Sequence, residues 1–374
     1  MDKNKILVIY GKHPMEMAES ILEAAGIETM IDKDMNIVIK PNLVVAKPSS
    51  SGATTSPKLV EGVIKYLKNM GCENISIMES SWVGDSTKRA FKVCGYEEIS
   101  QKYKVPLIDL KRDKTKILTY MGDELEVCLS PLKADFLINM PVLKAHCQTR
   151  LTCALKNLKG CIPDREKRRF HALGLHRPIA LLNKFITSHL VVVDGIMGDL
   201  TFEEGGTPVE MNRVILGRDP VLVDTYGAQL LGYSVEDIPY ITYARQLGIG
   251  NTSIKDDTVI KLNSDRFTPG DIKAGRKVAR LAKHILEDQA CSACYGSLIH
   301  GLQRMDEINM LKDLKEKVHI GQGYKGKTVD GIGIGSCCSG FEHNLKGCPP
   351  NAKDIIDFLQ QVSNKGKEKK TNDN

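Results

Sequence analysis

Short apolar segments alternate with helical patterns along most of the chain, and this alternation limits the possible folds more than any other feature. Continuous apolar strands that are separated by helices are typical of a parallel sheet buried on both faces. The sequence therefore predicts an α/β fold with a mostly parallel sheet covered by helices. The predicted strands are Ile6–Tyr10, Ile37–Lys40, Ile75–Met78, Pro106–Leu110, Phe136–Met140, Leu190–Val193 and Val259–Leu262.

The clearest helix is predicted over Pro57–Met70, where apolar residues recur at helical spacing. Ser56 precedes it as an N-cap, and Gly71 follows it as a C-cap. The predicted strands and helices together form a first domain over residues 1–263. Further predicted elements are helices over Val221–Leu231 and Ile238–Leu247, and a hairpin over Lys116–Leu129 that turns at Gly122 and Asp123.

The last third of the chain has a different character. Residues 264–290 begin as a loop and continue as a basic amphipathic helix, which predicts a connector. Residues 291–362 follow as a small C-terminal domain, and the polar tail 363–374 is predicted to be disordered. A domain this small has little core of its own, so we expect it to dock on the first domain.

The chain contains 11 cysteines, and no secretion signal is apparent. An odd number of cysteines without such a signal argues against a disulfide framework. Isolated cysteines in apolar surroundings usually pack as small hydrophobic residues, and we assign Cys72, Cys94, Cys128, Cys147, Cys153 and Cys161 to this group. The candidate metal ligands are Cys291, Cys294, Cys337, Cys338 and Cys348.

The C-terminal cysteines favour a four-iron (4Fe–4S) cluster. A C-x-x-C pair opens the set, a glycine-rich run precedes Cys337, and Pro349 follows Cys348 as proline follows the last cysteine of a bacterial ferredoxin run. Four thiolates suffice, and Cys337 is favoured over Cys338 because adjacent residues do not readily face one cluster. Zinc is the alternative, although C-C-x9-C is a poor zinc spacing, and buried or redox-active thiols are another.

Lysine-rich segments follow two of the predicted strands. Ligands of open α/β sheets bind outside the carboxyl ends of strands, so these segments predict a pocket for a carboxylate or phosphate. The alternative is a solvated rim of lysines. A helix over Thr149–Leu158 would bring further residues to the same place. The candidate substrate-binding residues are Lys40, Asn42, Lys144, Lys156, Asn157 and Lys159.

Two histidines are the candidate catalytic residues, His146 beside the pocket lysines and His171 further along. His171 and the nearby His176 can donate protons in a reduction, and structural roles are the alternative. The small residues 49–55 precede a helix and favour an anion. Residues 165–169 are predicted to form a solvated loop. The carboxylates of Asp194, Asp199, Glu203 and Glu204 suit either a divalent metal or a general base, or else a polar turn.

Several phrases occur in an order that resembles the family known as domain of unknown function 362. They are IKPNLV, SGATTSPKLVEGVIKYLKNMG, PVLKAH, LKNLKGCIP, VVDGI and LGRDPVLVDTYGAQLLGY, over roughly residues 35–250. The resemblance implies the α/β fold and an iron–sulfur association, since members are often fused to iron–sulfur domains. GDLTFEEGG has less glycine than the family pattern, so no role is carried over there. Separately, the G-C-P-P segment is similar to the last cluster ligand in the small subunits of nickel–iron hydrogenases and their relatives in respiratory complex I.

These features lead to an expected function. The net charge of +6 is too mild to indicate nucleic acid, and no segment has the roughly 20 apolar residues of a membrane helix, so we expect a cytoplasmic protein. We expect an anaerobic iron–sulfur oxidoreductase that passes single electrons to an anionic small molecule. No G-x-G-x-x-G fingerprint follows a strand, so electrons would come from ferredoxin or another electron-transfer protein. The alternatives are an electron carrier or cluster-delivery protein, and a metal- or phosphate-dependent enzyme with a structural cluster.

Overall fold

The computed structural model describes residues 1–200, 205–206, 208–263 and 280–371. For residues 292, 293 and 364–371 it describes the backbone alone. Contacts divide the chain into two units. The first contains residues 1–170 and 175–274, and the second contains residues 171–174 and 275–374. None of the helices that the structure describes is long and apolar enough to cross a membrane.

The first unit is built on a mixed sheet of ten strands in the order β12-β1-β11-β10-β7-β2-β3-β4, with β8 paired to β10 and β9 paired to β8. Its strands, with the separate β5–β6 hairpin, are β1 (Ile6–Tyr10), β2 (Ile37–Pro41), β3 (Ile75–Glu79), β4 (Leu107–Asp109), β5 (Thr115–Tyr120), β6 (Asp123–Cys128), β7 (Phe136–Met140), β8 (Val142–His146), β9 (Arg150–Thr152), β10 (Leu190–Asp199), β11 (Pro208–Gly217) and β12 (Val259–Lys261). Strands β10, β7, β2, β3 and β4 are parallel, whereas β11 is antiparallel to β1 and β10. The prediction of a mostly parallel sheet is confirmed.

Helices cover both faces of this sheet. They are α1 (Pro14–Ala24), α2 (Pro57–Asn69), α3 (Thr87–Val93), α4 (Tyr96–Tyr103), α5 (Ala154–Asn157), α6 (Asp164–Ala172), α7 (His176–Phe185), α8 (Pro220–Leu230) and α9 (Pro239–Gln246). Successive residues of a strand point to opposite faces. Accordingly, Ile6 and Val8 of β1 belong to one hydrophobic core, while Leu7 and Ile9 belong to the other. Two buried faces explain why the strands read as continuous apolar runs.

Three local predictions differ from the structure. The helix predicted over Thr149–Leu158 is wrong in its first half, where β9 pairs with β8, and only α5 is helical. The loop predicted over residues 165–169 is part of α6, because Glu166 and Lys167 are buried. The hairpin turns one residue earlier than predicted, at Met121 and Gly122, which both have positive φ as type I′ turns require.

The second unit contains a sheet of four parallel strands in the order β13-β14-β15-β16. Its elements are β13 (Ile285–Glu287), α10 (Ser292–Glu307), β14 (Val318–Ile320), β15 (Val329–Ile334), β16 (Phe341–Leu345) and α11 (Ala352–Thr371). The two helices approach closely, since a Cβ on Gly301 would lie only 2.9 Å from Cγ2 of Ile355. The absence of a side chain at Gly301 therefore permits this packing.

Two segments of the second unit differ from the prediction. Strand β13 lies where the connector helix was expected, because Ile285–Glu287 pairs in parallel with β14. Helix α11 continues to Thr371 through the predicted disordered tail, and its Lys and Glu residues are good helix formers. The rest of the predicted connector, residues 264–279, and residues 372–374 lie outside the described residues.

The short helix α5 is held at its N-terminus by Asp224, a fully buried residue of α8. The Asp224 carboxylate accepts the backbone N–H groups of Ala154 at 2.6 Å and Leu155 at 3.2 Å. These donors have no partner within the helix, so the carboxylate satisfies them and complements the helix dipole. Helix α8 in turn begins at Asp219, whose carboxylate caps it by accepting from Val221 and Leu222. The DPVLVD stretch thus starts one helix and fixes another.

The buried Asp224 predicts a pH dependence of stability. Burial raises the pKa of Asp224 to about 7, whereas an unfolded aspartate titrates at about 3.9. The folded state therefore binds the proton more tightly, and the free energy of unfolding should fall as pH rises from about 4 to about 7. Asp224→Asn retains an acceptor oxygen for Ala154 and should flatten this slope, as measured by urea unfolding across pH.

The partly exposed Asp237 provides the control for this experiment. Its hydrogen bonds to Ser234 lower the pKa of Asp237, so its contribution to stability is complete above about pH 5, and Asp237→Asn should leave the slope between about pH 5 and 7 unchanged. Asp194, whose pKa burial raises to about 6, should account for a residual slope in the Asp224→Asn variant. The prediction would be contradicted if the Asp224→Asn variant showed the same slope as the unmodified protein.

Candidate functional site

The strand order of the first unit reverses between β2 and β7. From β2 the chain continues outward through β3 and β4, and it then returns to place β7 and β10 on the other side of β2. Ligands of open α/β sheets bind at the carboxyl ends of the strands, at such a switch point. Lys40 and Asn139 are register partners near these two strand ends. The candidate site is therefore centred on them.

Three buried asparagines fill the crevice at the switch point. Nδ2 of Asn157, on α5, donates to Oδ1 of Asn139 at 2.7 Å and to the carbonyl oxygen of Lys40 at 3.2 Å. Its Oδ1 accepts from Nδ2 of Asn42 at 2.9 Å. The structure thus brings the predicted Asn42 and Asn157 together. The sequence pattern does not single out Asn139, although its place next to a strand end is a signal of the kind that identified Lys40.

Lys40 lies inside the protein beside its own counter-ion. Its Nζ is 2.8 Å from Oε2 of Glu79, and the two side chains are 1% and 3% exposed. The ammonium also donates to the carbonyl of Pro41, while the Glu79 carboxylate accepts the N–H groups of Leu43 and Ser80. The ion pair of Lys40 with Glu79 therefore fixes the ends of β2 and β3 relative to each other. Glu79, the last residue of β3, is a site residue that the sequence analysis did not select.

Lys144 and Lys156 lie beside the asparagines. Lys144 is fully buried on β8, and its Nζ donates to Oδ1 of Asn42 at 3.1 Å and to the carbonyl of Ala53 at 2.5 Å. Nζ of Lys156 donates to Oγ1 of Thr152 at 3.1 Å, and Thr152 is the register partner of Lys144. Two buried ammonium groups in one neighbourhood create a positive potential that suits a carboxylate or a phosphate.

The predicted histidines have different surroundings. Nδ1 of the buried His146 accepts the backbone N–H groups of Gln148 and Thr149, each at 3.1 Å. In the neutral ring the proton therefore resides on Nε2, which makes Nε2 the donor. His171 lies on the last turn of α6, among the residues assigned to the second unit. His176 is stacked on Tyr240, and burial together with Arg150 and Lys156 lowers the pKa of His176 to about 4, as for a core residue.

Two further cations are the predicted substrate-binding residue Lys159 and Lys167, which the sequence analysis placed in a solvated loop. Lys159 is half-buried, and its Nζ lies 6.0 Å from the centroid of the Phe170 ring. Lys167, in the segment predicted as a loop, is 6% exposed and donates to the carbonyl of Ser81 at 2.6 Å and to Oδ1 of Asp164 at 3.2 Å. Burial lowers the pKa of Lys167. A buried lysine on α6 thus adds to the cationic lining near β3.

The N-terminus of α2, predicted to attract an anion, is occupied by a carboxylate of the protein. Oδ2 of the buried Asp194 accepts the N–H of Ser56 at 2.7 Å, and Oδ1 accepts the N–H of Ile196 at 3.0 Å. Asp199 is buried opposite Lys144 in the β10–β8 pairing and accepts the N–H of Gly206. These two carboxylates therefore serve local structure. Glu203 and Glu204 lie outside the described residues.

The C-terminal cysteines follow the ends of three parallel strands. Cys291 comes shortly after β13, Cys337 after β15 and Cys348 after β16. Parallel strands present their carboxyl ends at one edge of a sheet, so these cysteines gather at the same edge. The six cysteines predicted to pack are Cys72, Cys94, Cys128, Cys153 and Cys161, which are buried, and Cys147, which is partly exposed.

Backbone hydrogen bonds join the two glycine-rich segments that carry Cys337 and Cys348. The N–H of Gly335 donates to Leu345 at 2.8 Å, and that of Ser336 donates to Gly347 at 2.9 Å. A Cβ on Gly335 would lie 3.9 Å from Sγ of Cys294. Three cysteine-bearing segments therefore converge around Gly335.

The thiols differ in exposure and in charge environment. Burial, followed by the charges of the other four C-terminal cysteines, raises the pKa of Cys294 to about 12. Cys338 is buried and its Sγ donates to the carbonyl of His319, whereas Cys337 is half-buried and Cys348 is exposed. Within the described ranges, no three His, Cys, Asp or Glu side chains are placed to hold a single metal ion.

The buried ion pair predicts the cost of removing one charge. Lys40→Met would leave Glu79 as an uncompensated buried carboxylate and should lower the free energy of unfolding by about 3–5 kcal/mol. The double variant Lys40→Met/Glu79→Gln should recover much of this loss, and urea unfolding measures both. The matched control is Lys65→Met, because Lys65 pairs with Glu19 at the surface and should cost far less. Equal losses in the two single variants would contradict the prediction.

Comparisons with known proteins agree with the resemblance in the sequence. The family described as Domain of unknown function (DUF362) matches residues 37–229, more than half of the 374 residues. The thylakoid-associated protein sll1697 of Synechocystis sp. is 24% identical over 239 residues, covering 61% of this chain and 73% of that protein. The solved lactate racemase apoprotein of Thermoanaerobacterium thermosaccharolyticum aligns with a TM-score of 0.38 and 13% identity over 58% of this chain, which spans 55% of that one. The chain belongs to the DUF362 family.

Proposed function

We propose that the second unit holds a 4Fe–4S cluster and that the chain is an iron–sulfur oxidoreductase acting on a small anionic substrate. The observation that carries the proposal is the position of Cys291, Cys337 and Cys348, each just beyond the carboxyl end of a parallel strand at one edge of one sheet. Packing alone gives no reason for three thiols at corresponding places on three strands. Thiolates are the ligands that iron–sulfur clusters require.

The donor set fits a cluster better than a single ion. The ligands would be Cys291, Cys294, Cys337 and Cys348, with Cys338 excluded by its burial and its hydrogen bond to His319. In a four-iron cluster each cysteine binds a different iron atom, so the sulfurs stand further apart than around one zinc ion. This spacing is compatible with the absence of a single-ion site among the residues that the structure describes.

The first unit would bind and orient the substrate. Lys144 and Lys156 supply positive charge to a carboxylate or phosphate, and Asn42 holds Lys144 in place through its Oδ1. His146 presents Nε2–H as a proton donor while its Nδ1 is held by two backbone N–H groups. When bound, a cluster supplies single electrons, and ferredoxin or another electron-transfer protein would replenish them. Docking of the two units and a cytoplasmic location stay predictions.

An electron carrier or cluster-delivery protein is the second candidate function. Cys348 is exposed, and a cluster with an exposed ligand is open to a partner protein. Such a protein would need no substrate pocket. The buried Lys144 and Lys156 support the reductase, because burying a lysine is costly and an anion pocket would give these two cations a role.

The cluster proposal predicts metal content. Anaerobically purified protein should be brown and contain about four irons and four sulfides per chain. Cys294→Ser and Cys348→Ser should remove the colour. The adjacent cysteines provide a matched pair, since Cys337→Ser should lose iron whereas Cys338→Ala should retain it. Iron, sulfide and zinc analysis measures the outcome, and colourless protein with one zinc per chain would refute the proposal.

The reductase and the carrier proposals predict different outcomes when the reduced cluster is mixed with small anions. The cluster is reduced with dithionite, and its reoxidation is followed by absorbance with a panel of small carboxylates and phosphates. A reductase should be reoxidised by at least one anion, and Lys156→Gln should slow that step without changing the iron content. Lys65→Met serves as a surface control. Reoxidation by oxidised ferredoxin alone, at equal rates in all variants, would instead support the carrier.

A further inference from the structure

A cavity of about 300 Å³ lies in the first unit on the edge of the sheet opposite the switch point. Its walls come from residues that precede β1 and β10 and from residues between β11 and α8, all at the edge where the parallel strands begin. Side chains of α7 close one side. The volume reaches the lower end of the range for small-molecule sites. The residues that matter here are Lys3, Asn183, Lys184, His189, Arg218 and Asp219.

Two residues of the cavity wall each carry a buried side-chain atom that has no hydrogen-bond partner in the described part of the chain. The two atoms are Oδ1 of Asn183 and Nε of Arg218. Asn183 is only 6% exposed, and its Nδ2 donates to the carbonyls of Leu155 and Ile179, which fixes the orientation of the amide. A buried polar atom without a partner is costly. A ligand that accepts from Arg218 and donates to Asn183 would satisfy both atoms.

The charges of the cavity wall are predominantly positive. Lys3, Lys184 and Arg218 line it, and the only carboxylate among the six residues is that of Asp219. This carboxylate is already used, because it accepts the N–H groups of Val221 and Leu222 and both nitrogens of Asn251. Burial and the charge of Arg218 lower the pKa of His189; Asp135 opposes this shift, and Lys3 adds to it. The ring of His189 is therefore neutral near pH 7.

His189 adds a donor to the same wall. Its Nδ1 accepts the N–H of Leu137 at 3.0 Å, and its ring is stacked on Phe136. In the neutral ring Nε2 therefore carries the proton. The cavity wall combines cations, one fixed N–H donor and one fixed acceptor. A dianionic phosphate with a hydroxyl group matches this set better than an apolar or cationic molecule.

We infer that this cavity is a second ligand site, which binds a small hydroxylated phosphate ester. Arg218 and Lys3 hold the phosphate, and a hydroxyl group of the ligand donates to Oδ1 of Asn183. The site is distinct from the lysines at the switch point and does not depend on a cluster.

Calorimetric titration of the full chain with glycerol phosphate, in buffer free of phosphate, tests the inference. Glycerol phosphate should bind, and methyl phosphate should bind more weakly because it leaves Asn183 without a donor. Arg218→Gln should weaken binding about tenfold or more, and Lys3→Gln should weaken it less. The exposed Lys33 lies outside the cavity wall, so Lys33→Gln should bind as the unmodified protein does.

Two readouts locate the bound ligand. The ring signals of His189, assigned with a His189→Gln variant, should shift in NMR spectra on addition of glycerol phosphate. Lys156→Gln should leave the affinity unchanged. The inference is overturned if neither phosphate binds, if methyl phosphate binds as tightly as glycerol phosphate, or if binding survives Arg218→Gln and is lost in Lys156→Gln.

Discussion

The contact between the Asp224 carboxylate and the N-terminus of α5 holds the candidate site of the first unit together. Helix α5 has only four residues, too few to be stable alone. With Ala154 and Leu155 bound to Asp224, the helix directs Asn157 into the crevice between β2 and β7 and Lys156 towards Thr152. Loss of this anchor would release both residues. The family resemblance includes the stretch LKNLKGCIP, which contains Lys156 and Asn157, and the stretch DPVLVD, which ends at Asp224. The contact between Asp224 and α5 gives a physical reason for the two stretches to occur together.

Buried positive charge at the switch point is largely neutralised by carboxylates of the protein itself. Glu79 neutralises Lys40, and Asp194 occupies the N-terminus of α2. Both features resemble anion sites in the sequence, yet in the structure both have internal partners. Lys144 and Lys156 also donate hydrogen bonds within the protein, and they are the cations proposed to attract an external anion. Buried ionic groups that are fully hydrogen-bonded also fix the positions of the strand ends.

Both units place their chemically distinctive residues at the carboxyl ends of parallel strands. In the first unit, lysines and asparagines lie at or just beyond the carboxyl ends of β2 and β7, and in the second, cysteines lie beyond those of β13, β15 and β16. Loops at that edge can vary in side chains while the sheet keeps their positions. The cavity lined by Asn183 and Arg218 uses the opposite edge. Ser188, also in its wall, accepts a hydrogen bond from Asn139 and so connects it to the switch point.

The sequence by itself determined the sheet, most strand positions, the separation of a cysteine-rich C-terminal part and the membership of several polar residues in one site. Apolar periodicity and strand-end positions are local signals, and they are sufficient for these conclusions. Tertiary structure decided that Arg150–Thr152 is a strand, that Lys167 is buried, and that Glu79 and Asp194 occupy positions predicted for ligands. The last two outcomes depend on distant partners, 39 residues apart for Lys40 with Glu79 and 138 residues apart for Ser56 with Asp194. Local propensity contains no information about such partners, because burial and ion pairing arise only when the strands have assembled.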